Sequence, residues 1–217
     1  MRACAFAEPP QGATEKMGLK SFVVALILCA APTAFAQGAR PSPKALTEQV
    51  VATFRALNDP AVPSEQRQSA ANLQALDSFF DFDALSAASL QSHVRNLKPR
   101  QRSELQKTFR SLLTVLTHRS GEQLVKGDVA IGAPKVVDKN CVVEFAVSRP
   151  EDDMTSNVAL TWQRRPNGWQ VVDVAFDGAS VTKDYENQFG RILKKDGAEA
   201  LVAKLKERLA QVTSDKK

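Results

Sequence analysis

Apolar residues recur at helical spacing in the stretch that follows Ser42. The first amphipathic helix is predicted over residues 43–58, because Ser42 supplies an N-cap and Pro43 suits the first helical position. Its apolar positions, spaced by four, four and three residues, are Leu46, Val50, Phe54 and Leu57. The sequence Asn58-Asp-Pro60 then ends the helix.

Three further helices are predicted before Gly121. The second begins at Pro63-Ser64, and a third opens at Phe80. Their apolar positions are Leu73, Leu76 and Phe80 in the second and Leu85 and Leu90 in the third. The clearest helix begins at Lys98-Pro99 and ends at Gly121. Its apolar face is formed by Leu105, Phe109, Leu112, Leu113 and Leu116.

After Gly121 the apolar pattern changes from helical spacing to alternation. Short runs rich in Val, Ile and Phe predict four strands, over residues 129–137, 141–148, 157–164 and 169–176. Because short turn-forming links join these runs, consecutive strands are expected to pair antiparallel. The residues that share a face are Val143, Phe145 and Val147 in the second run and Val158, Leu160 and Trp162 in the third.

The helical pattern returns after Gly178. Ser180 is the predicted N-cap of the fifth helix. Gly197 then separates this helix from the sixth and last one. The order of four helices, four strands and two helices predicts an α+β fold. In it, segregated helices pack against one curved antiparallel sheet of about four strands. We expect a single domain over residues 43–213 and a polar tail over residues 214–217.

The layout from Met17 onwards is that of a secretory signal peptide, with a basic start, an apolar run and a small-x-small cleavage site at Ala34-Phe-Ala36. The apolar run, from Phe22 to Ala31, is shorter than the ~20 residues that a membrane-spanning helix needs. We therefore expect translation to start at Met17 and the segment up to Ala36 to be removed as a signal peptide, so that residues 1–36 are absent from the mature chain. Residues 37–42 are expected to form a linker. The mature chain is expected to be exported.

The composition limits the chemistry that the chain could perform. Its 217 residues are 43% hydrophobic and 24% charged, which is typical of a globular protein. With two His and three Cys, and Cys141 alone lying beyond the leader, a zinc or iron–sulfur site is not expected, nor is any cofactor. The 29 Lys and Arg exceed the 24 Asp and Glu by too little to favour a nucleic acid partner for an exported protein.

Few residues suggest catalysis. His93 and His118 fall in helical stretches and Cys141 alternates with apolar strand positions, so all three are interpreted as structural. Asp173 lies within an apolar strand, where it either acts as a general base or accepts hydrogen bonds from a neighbouring strand. We favour the second interpretation. The chain is therefore not expected to be an enzyme, although a site built from Asp173 and His118 stays open as an alternative.

The apolar content suggests a ligand cavity. A concave sheet covered by apolar helices can leave a space of a few hundred Å³, and such a space without convergent charges suits an acyl chain. The candidate lining consists of aromatic and aliphatic residues of the sheet and the facing helices. These residues are Phe82, Leu90, Phe109, Leu113, Leu116, Val143, Phe145, Val147, Leu160, Trp162, Val172, Val174, Phe176, Val181, Tyr185 and Phe189.

Several sequence blocks occur in an order that is found in a known family. The blocks are Phe80-Asp-Phe82, then Leu97–Gln101 with Phe109 and Leu112-Leu113, then Trp169–Val181 with Tyr185 and Phe189. Together they resemble the MlaC (toluene-tolerance) family of periplasmic phospholipid-binding proteins, over residues 43–210. One departure lies at Leu90–His93, where the family usually has Leu-Gly followed by an aromatic residue.

The resemblance implies a soluble carrier in the periplasm, whose lipid-binding α+β domain is a cone of the NTF2-like or cystatin-like type enclosing an apolar pocket. The implied ligand is phospholipid. The implied partners are an inner-membrane ABC transporter of the MCE type and an outer-membrane lipoprotein complex, between which a monomeric carrier would shuttle lipid. Two other interpretations stay open. The chain could carry another lipid, such as a hopanoid, or be a structural or adaptor protein of the cell envelope with a solid core.

Overall fold

A computed structural model describes residues 40–121, 127–149 and 153–214 of the chain. The helices within these ranges are α1 (Pro43–Asn58), α2 (Ser64–Arg67), α3 (Ala70–Asp77), α4 (Phe82–Ala88), α5 (Pro99–Arg119) and α6 (Val181–Ser214), with a 3-10 helix over Gln91–Asn96. The strands are β1 (Asp128–Ile131), β2 (Lys135–Val137), β3 (Asn140–Arg149), β4 (Met154–Arg165), β5 (Gly168–Phe176) and β6 (Ala179–Ser180).

The strands form one antiparallel sheet in the order β1, β3, β4, β5, β6, with β2 also pairing with β3. In the central pair, Val143 lies opposite Leu160 and Phe145 lies opposite Val158. These residues are buried and alternate with more exposed ones along both strands, so one face of the sheet is covered. The sheet is open, and helices pack against it, which confirms the predicted α+β fold class.

The predicted strand over residues 129–137 is wrong as a single element, because it divides into β1 and β2 around Gly132. The Gly132 N–H donates to the Glu144 carbonyl oxygen at 2.8 Å. A Cβ atom at this position would lie 3.2 Å from the same oxygen. The backbone therefore approaches β3 closely at Gly132, and regular pairing resumes only at Lys135.

The predicted second helix is also two elements. Ser69 caps α3 by accepting from the Asn72 N–H at 3.4 Å, which separates α3 from α2. Phe80 lies outside α3 and forms an isolated parallel bridge with Val171 of β5. The third helix begins at Phe82, since Asp81 accepts from the Ala84 N–H at 2.9 Å as its N-cap.

Helices α5 and α6 pack side by side through an aromatic cluster. The Phe109 ring lies 4.7 Å from the Tyr185 ring and 4.8 Å from the Phe189 ring, both in edge-on geometry. Ser180 caps α6 as predicted, since its Oγ accepts from the Lys183 N–H at 3.2 Å. Gly197, with φ of 83°, breaks the helical backbone of α6 where the sequence places a helix boundary.

The predicted signal peptide over residues 1–36 lies outside the described residues, as do residues 37–39 of the predicted linker and residues 215–217 of the predicted tail. Of the helices that the structure does describe, none combines the length and the apolar character needed to cross a membrane.

Candidate functional site

A cavity of about 780 Å³ lies between the sheet and the helices. Its size falls within the range of roughly 300–1,000 Å³ that is usual for ligand pockets. Apolar side chains dominate its lining. The lining residues are Val50, Phe54, Phe80, Phe82, Leu85, Leu113, Leu116, Thr117, Arg119, Ser120, Gly121, Phe145, Val147, Ser156, Val158, Leu160, Val174, Phe176, Asp177, Val181, Asp184, Tyr185 and Gln188.

The turn between α3 and α4, together with the first residue of α4, places two aromatic rings in the cavity wall. Phe80 and Phe82 stack with ring centroids 5.6 Å apart. The turn is tied to β5 by two backbone hydrogen bonds, from the Val171 N–H to the Phe79 oxygen at 2.8 Å and from the Asp81 N–H to the Val171 oxygen at 2.9 Å. Arg165 Nε also donates to Asp81 Oδ2 at 2.8 Å. The sheet therefore fixes the position of both rings.

The last turn of α5 forms another part of the wall, and α1 and α3 hold it in place. Gly121, with φ of 94°, approaches Phe54 so closely that a Cβ atom there would lie 2.6 Å from the ring. His118 Nε2 lies 2.6 Å from Asp77 Oδ1 at the end of α3. The role of His118 in this geometry is to attach α5 to α3.

Ten of the sixteen predicted lining residues line the cavity. They are Phe82, Leu113, Leu116, Phe145, Val147, Leu160, Val174, Phe176, Val181 and Tyr185. The other six, which are Leu90, Phe109, Val143, Trp162, Val172 and Phe189, lie elsewhere. Whether the ten bind lipid stays a prediction.

Packing between elements accounts for the positions of the six. Leu90, Phe109 and Phe189 are buried in the core. Trp162 is covered by α1, because its Nε1–H donates to Thr47 Oγ1 at 3.0 Å. Val143 is likewise fully buried.

The sixth of them, Val172, lies at an irregularity in the pairing of β4 with β5. The partner of Thr161 is Asp173, whereas the partner of Trp162 is Val171, so Val172 is the extra residue of a bulge. A bulge breaks strict alternation along its strand. Strict alternation would place Val172 and Val174 on the same face of β5. Because of the bulge, Val174 lines the cavity and Val172 does not.

Sequence reasoning missed several wall residues and the polar residues of the opening. The sequence places Val50, Phe54 and Val158 on apolar faces, but it does not indicate that these faces line the cavity. The polar residues are Thr117, Arg119, Ser120, Ser156, Asp177, Asp184 and Gln188. Nothing in their sequence pattern distinguishes them from ordinary surface residues.

The cavity separates apolar from charged groups. Phe145, Val158 and Leu160 are buried, whereas Arg119 and Asp184 are exposed. Burial raises the pKa of the Tyr185 phenol, so this side chain is neutral at physiological pH. Among the residues that the structure describes, no group of three or more His, Cys, Asp or Glu side chains could hold a metal ion. The arrangement suits an apolar ligand with a polar end.

The two residues of the alternative catalytic site have different partners. Asp173 accepts from Ser180 Oγ at 2.6 Å and from the Thr182 N–H at 3.2 Å, at the start of α6. His118 pairs with Asp77. Asp173 thus accepts hydrogen bonds from the neighbouring strand β6 and the helix that follows it, as the favoured interpretation predicts.

Comparison with known proteins gives three findings. The family model described as MlaC protein matches residues 44–207. No curated protein matches the chain. A solved structure of a phospholipid-binding protein from Ralstonia solanacearum, in complex with a phospholipid, has a TM-score of 0.63 and 22% sequence identity, and covers 80% of this chain and 99% of its own. The family match spans most of the described residues, and the chain therefore belongs to the MlaC family.

Proposed function

We propose that this protein is a phospholipid-binding carrier that holds acyl chains in its apolar cavity. The observation that carries the proposal is the cavity of about 780 Å³, whose buried wall is apolar and whose charged side chains are exposed. Each CH₂ group that leaves water for such a wall contributes about 0.8 kcal/mol. A polar headgroup would remain at the exposed opening, where it keeps its hydration.

Family membership and the related structure support this ligand. The Ralstonia solanacearum protein, whose fold resembles that of this chain, is a phospholipid-binding protein with a phospholipid bound. Binding by burial alone requires no covalent chemistry, which agrees with a carrier rather than an enzyme. The other classes of ligand, including a hopanoid, would have to occupy the same apolar space.

We base the proposed cellular role on the family resemblance. A carrier of this type would work in the periplasm after removal of residues 1–36, within a domain over residues 43–213. It would receive phospholipid from one membrane complex and deliver it to another, namely an outer-membrane lipoprotein complex and an inner-membrane ABC transporter of the MCE type. We propose that it does so as a monomer.

Native mass spectrometry with lipid extraction tests the proposal. The protein is recovered from the periplasm of a Gram-negative host without detergent, and its bound mass is compared with that of Leu160→Trp and Val174→Trp. Both residues line the cavity, so an indole would fill part of it. Val136→Trp is the matched control, because Val136 is 81% exposed on β2 and lies outside the cavity lining.

We expect phospholipid masses on the wild type and on Val136→Trp, and their loss from the two cavity variants. A clean unbound mass that does not change after incubation with phospholipid vesicles would contradict the proposal and favour a structural or adaptor protein. Adducts at the mass of a polycyclic lipid would keep the carrier class and change its ligand.

A further inference from the structure

The exposed end of the cavity carries charges of both signs. We call the set Arg119, Asp177, Asp184 and Gln188 the rim, since these four residues line the cavity and are exposed. They come from three separate elements. Arg119 ends α5, Asp177 follows β5, and Asp184 and Gln188 lie four residues apart on one face of α6. A headgroup held at this opening would face side chains from all three elements.

Two of the rim charges are available to a ligand. Within the described ranges, the side chains of Arg119 and Asp184 make no ion pair or hydrogen bond. Asp177, by contrast, is partly engaged, since its Oδ1 accepts from the Asn157 N–H at 2.8 Å and from Asn157 Nδ2 at 3.4 Å. The described rim therefore offers one free guanidinium and one free carboxylate, with a second carboxylate that is hydrogen-bonded to the neighbouring strand β4.

We infer that the rim favours phospholipids with a zwitterionic, ammonium-bearing headgroup over phospholipids with an anionic one. The inference rests on the proposed function, because it concerns the headgroup of the lipid whose acyl chains fill the cavity. Arg119 provides the planar donor set that suits a phosphate, and Asp184 provides a carboxylate that suits an ammonium group. A phosphatidylethanolamine headgroup carries both charges.

An anionic headgroup fits this rim less well. Phosphatidylglycerol offers the same phosphate to Arg119 but brings no cation to Asp184. Its net negative charge also meets two carboxylates, of Asp177 and Asp184, against one guanidinium. Like charges repel, and this repulsion weakens with added salt. Because the rim is exposed, the preference is modest, at about two- to fivefold.

Competition between two lipids measures this preference. The protein is incubated at low salt with vesicles of equimolar phosphatidylethanolamine and phosphatidylglycerol that have the same acyl chains. It is then separated from the vesicles, and the two bound lipids are quantified by mass spectrometry. The variants are Asp184→Asn and Asp184→Lys. The matched control is Asp138→Asn, an exposed aspartate in the turn between β2 and β3, outside the cavity lining.

We expect the wild type and Asp138→Asn to hold about two- to fivefold more phosphatidylethanolamine than phosphatidylglycerol. Asp184→Asn should bring the ratio towards one, and Asp184→Lys should reverse it. Equal amounts of both lipids on the wild type would overturn the inference and leave the proposed function intact, as would a ratio in Asp184→Lys equal to that of the control. Absence of both lipids from the wild type would overturn the proposed function and the inference with it.

Discussion

At the scale of single residues, one buried hydrogen bond joins the first helix to the sheet. Trp162 and Thr47 are both fully buried, and the indole N–H donates to Thr47 Oγ1 at 3.0 Å. The Thr47 hydroxyl in turn donates to the Pro43 carbonyl oxygen at 2.9 Å. A buried indole N–H must be satisfied, so the hydroxyl of Thr47 fixes both the position of α1 and the orientation of Trp162.

Replacing Thr47 with valine should therefore destabilise the protein while keeping its shape. We expect Thr47→Val to lower the free energy of unfolding by about 1–3 kcal/mol, because it leaves the indole N–H without an acceptor. Urea denaturation followed by tryptophan fluorescence measures the change. Thr53→Val on the same helix is the matched control, since among the described residues the hydroxyl of Thr53 bonds only to the Gln49 carbonyl oxygen of its own helix. Equal stability of the two variants would contradict this interpretation.

At the scale of elements, a buried glutamate holds the 3-10 helix against α6. Glu186 accepts from Lys183 Nζ at 2.6 Å, from the Ser92 N–H at 3.2 Å and from the Ser92 hydroxyl. The His93 Nε2–H donates to the Glu186 carbonyl oxygen at 2.9 Å. His93 also lies against Gly190, where a Cβ atom would come within 2.7 Å of the imidazole ring.

The attachment of the 3-10 helix should weaken in acid. Hydrogen bonds from Lys183 and Ser92 lower the pKa of Glu186 from 4.5 to about 2. Because the pKa is lower in the folded than in the unfolded chain, the carboxylate stabilises the fold above pH 4.5, and this contribution is lost as the pH falls towards 2. We expect Glu186→Gln to lower the free energy of unfolding by about 1–3 kcal/mol at neutral pH.

Denaturation across pH checks this expectation. The difference between the wild type and Glu186→Gln should be constant above pH 4.5 and should shrink continuously at lower pH. Glu48→Gln, at an exposed position of α1, is the control and should match the wild type throughout. A difference that did not depend on pH would show that the carboxylate charge plays no part.

The same elements show what sequence could and could not predict. The helix over residues 43–58 has local signals at both ends, so its predicted bounds agree with α1. The interruption at Gly132 depends on its approach to Glu144 of another strand, and the bulge at Val172 depends on pairing with β4. Such contacts link residues that are distant in sequence, and the periodicity within one segment cannot reveal them.

The same contrast between local sequence signals and contacts of distant segments applies to the candidate site. Phe145 and Leu160 lie on strand faces that alternation identifies as apolar, and both line the cavity, although alternation alone does not tell which face of the sheet is the concave one. Phe109 and Phe189 have equally apolar patterns but pack on each other between α5 and α6. The rim could not be predicted at all, since Arg119 and Asp184 lie on different helices and line one cavity only in the folded chain.

At the scale of the whole molecule, the cavity couples ligand content to stability. The folded domain keeps a space of about 780 Å³ that a bound ligand would fill, and the unfolded chain offers no such site. A ligand that binds only the folded state stabilises it by mass action, by about 2.7 kcal/mol when its free concentration is about 100 times Kd. The apolar wall would also recover the packing contacts that an empty space lacks.

Removal of bound lipid should therefore lower the melting temperature. For a chain of this size we expect a fall of about 5–10 °C between the protein recovered from the periplasm and the same protein delipidated, measured by differential scanning calorimetry. Incubation with phosphatidylethanolamine vesicles should restore the higher value. Val174→Trp, with its cavity partly filled, should melt at one temperature in all three states, whereas Val136→Trp should respond as the wild type does. If mass spectrometry confirms that lipid was lost from the wild type and the melting temperature stays unchanged, the cavity is not where the lipid binds, because filling and emptying it would then have no effect on the free energy of the fold.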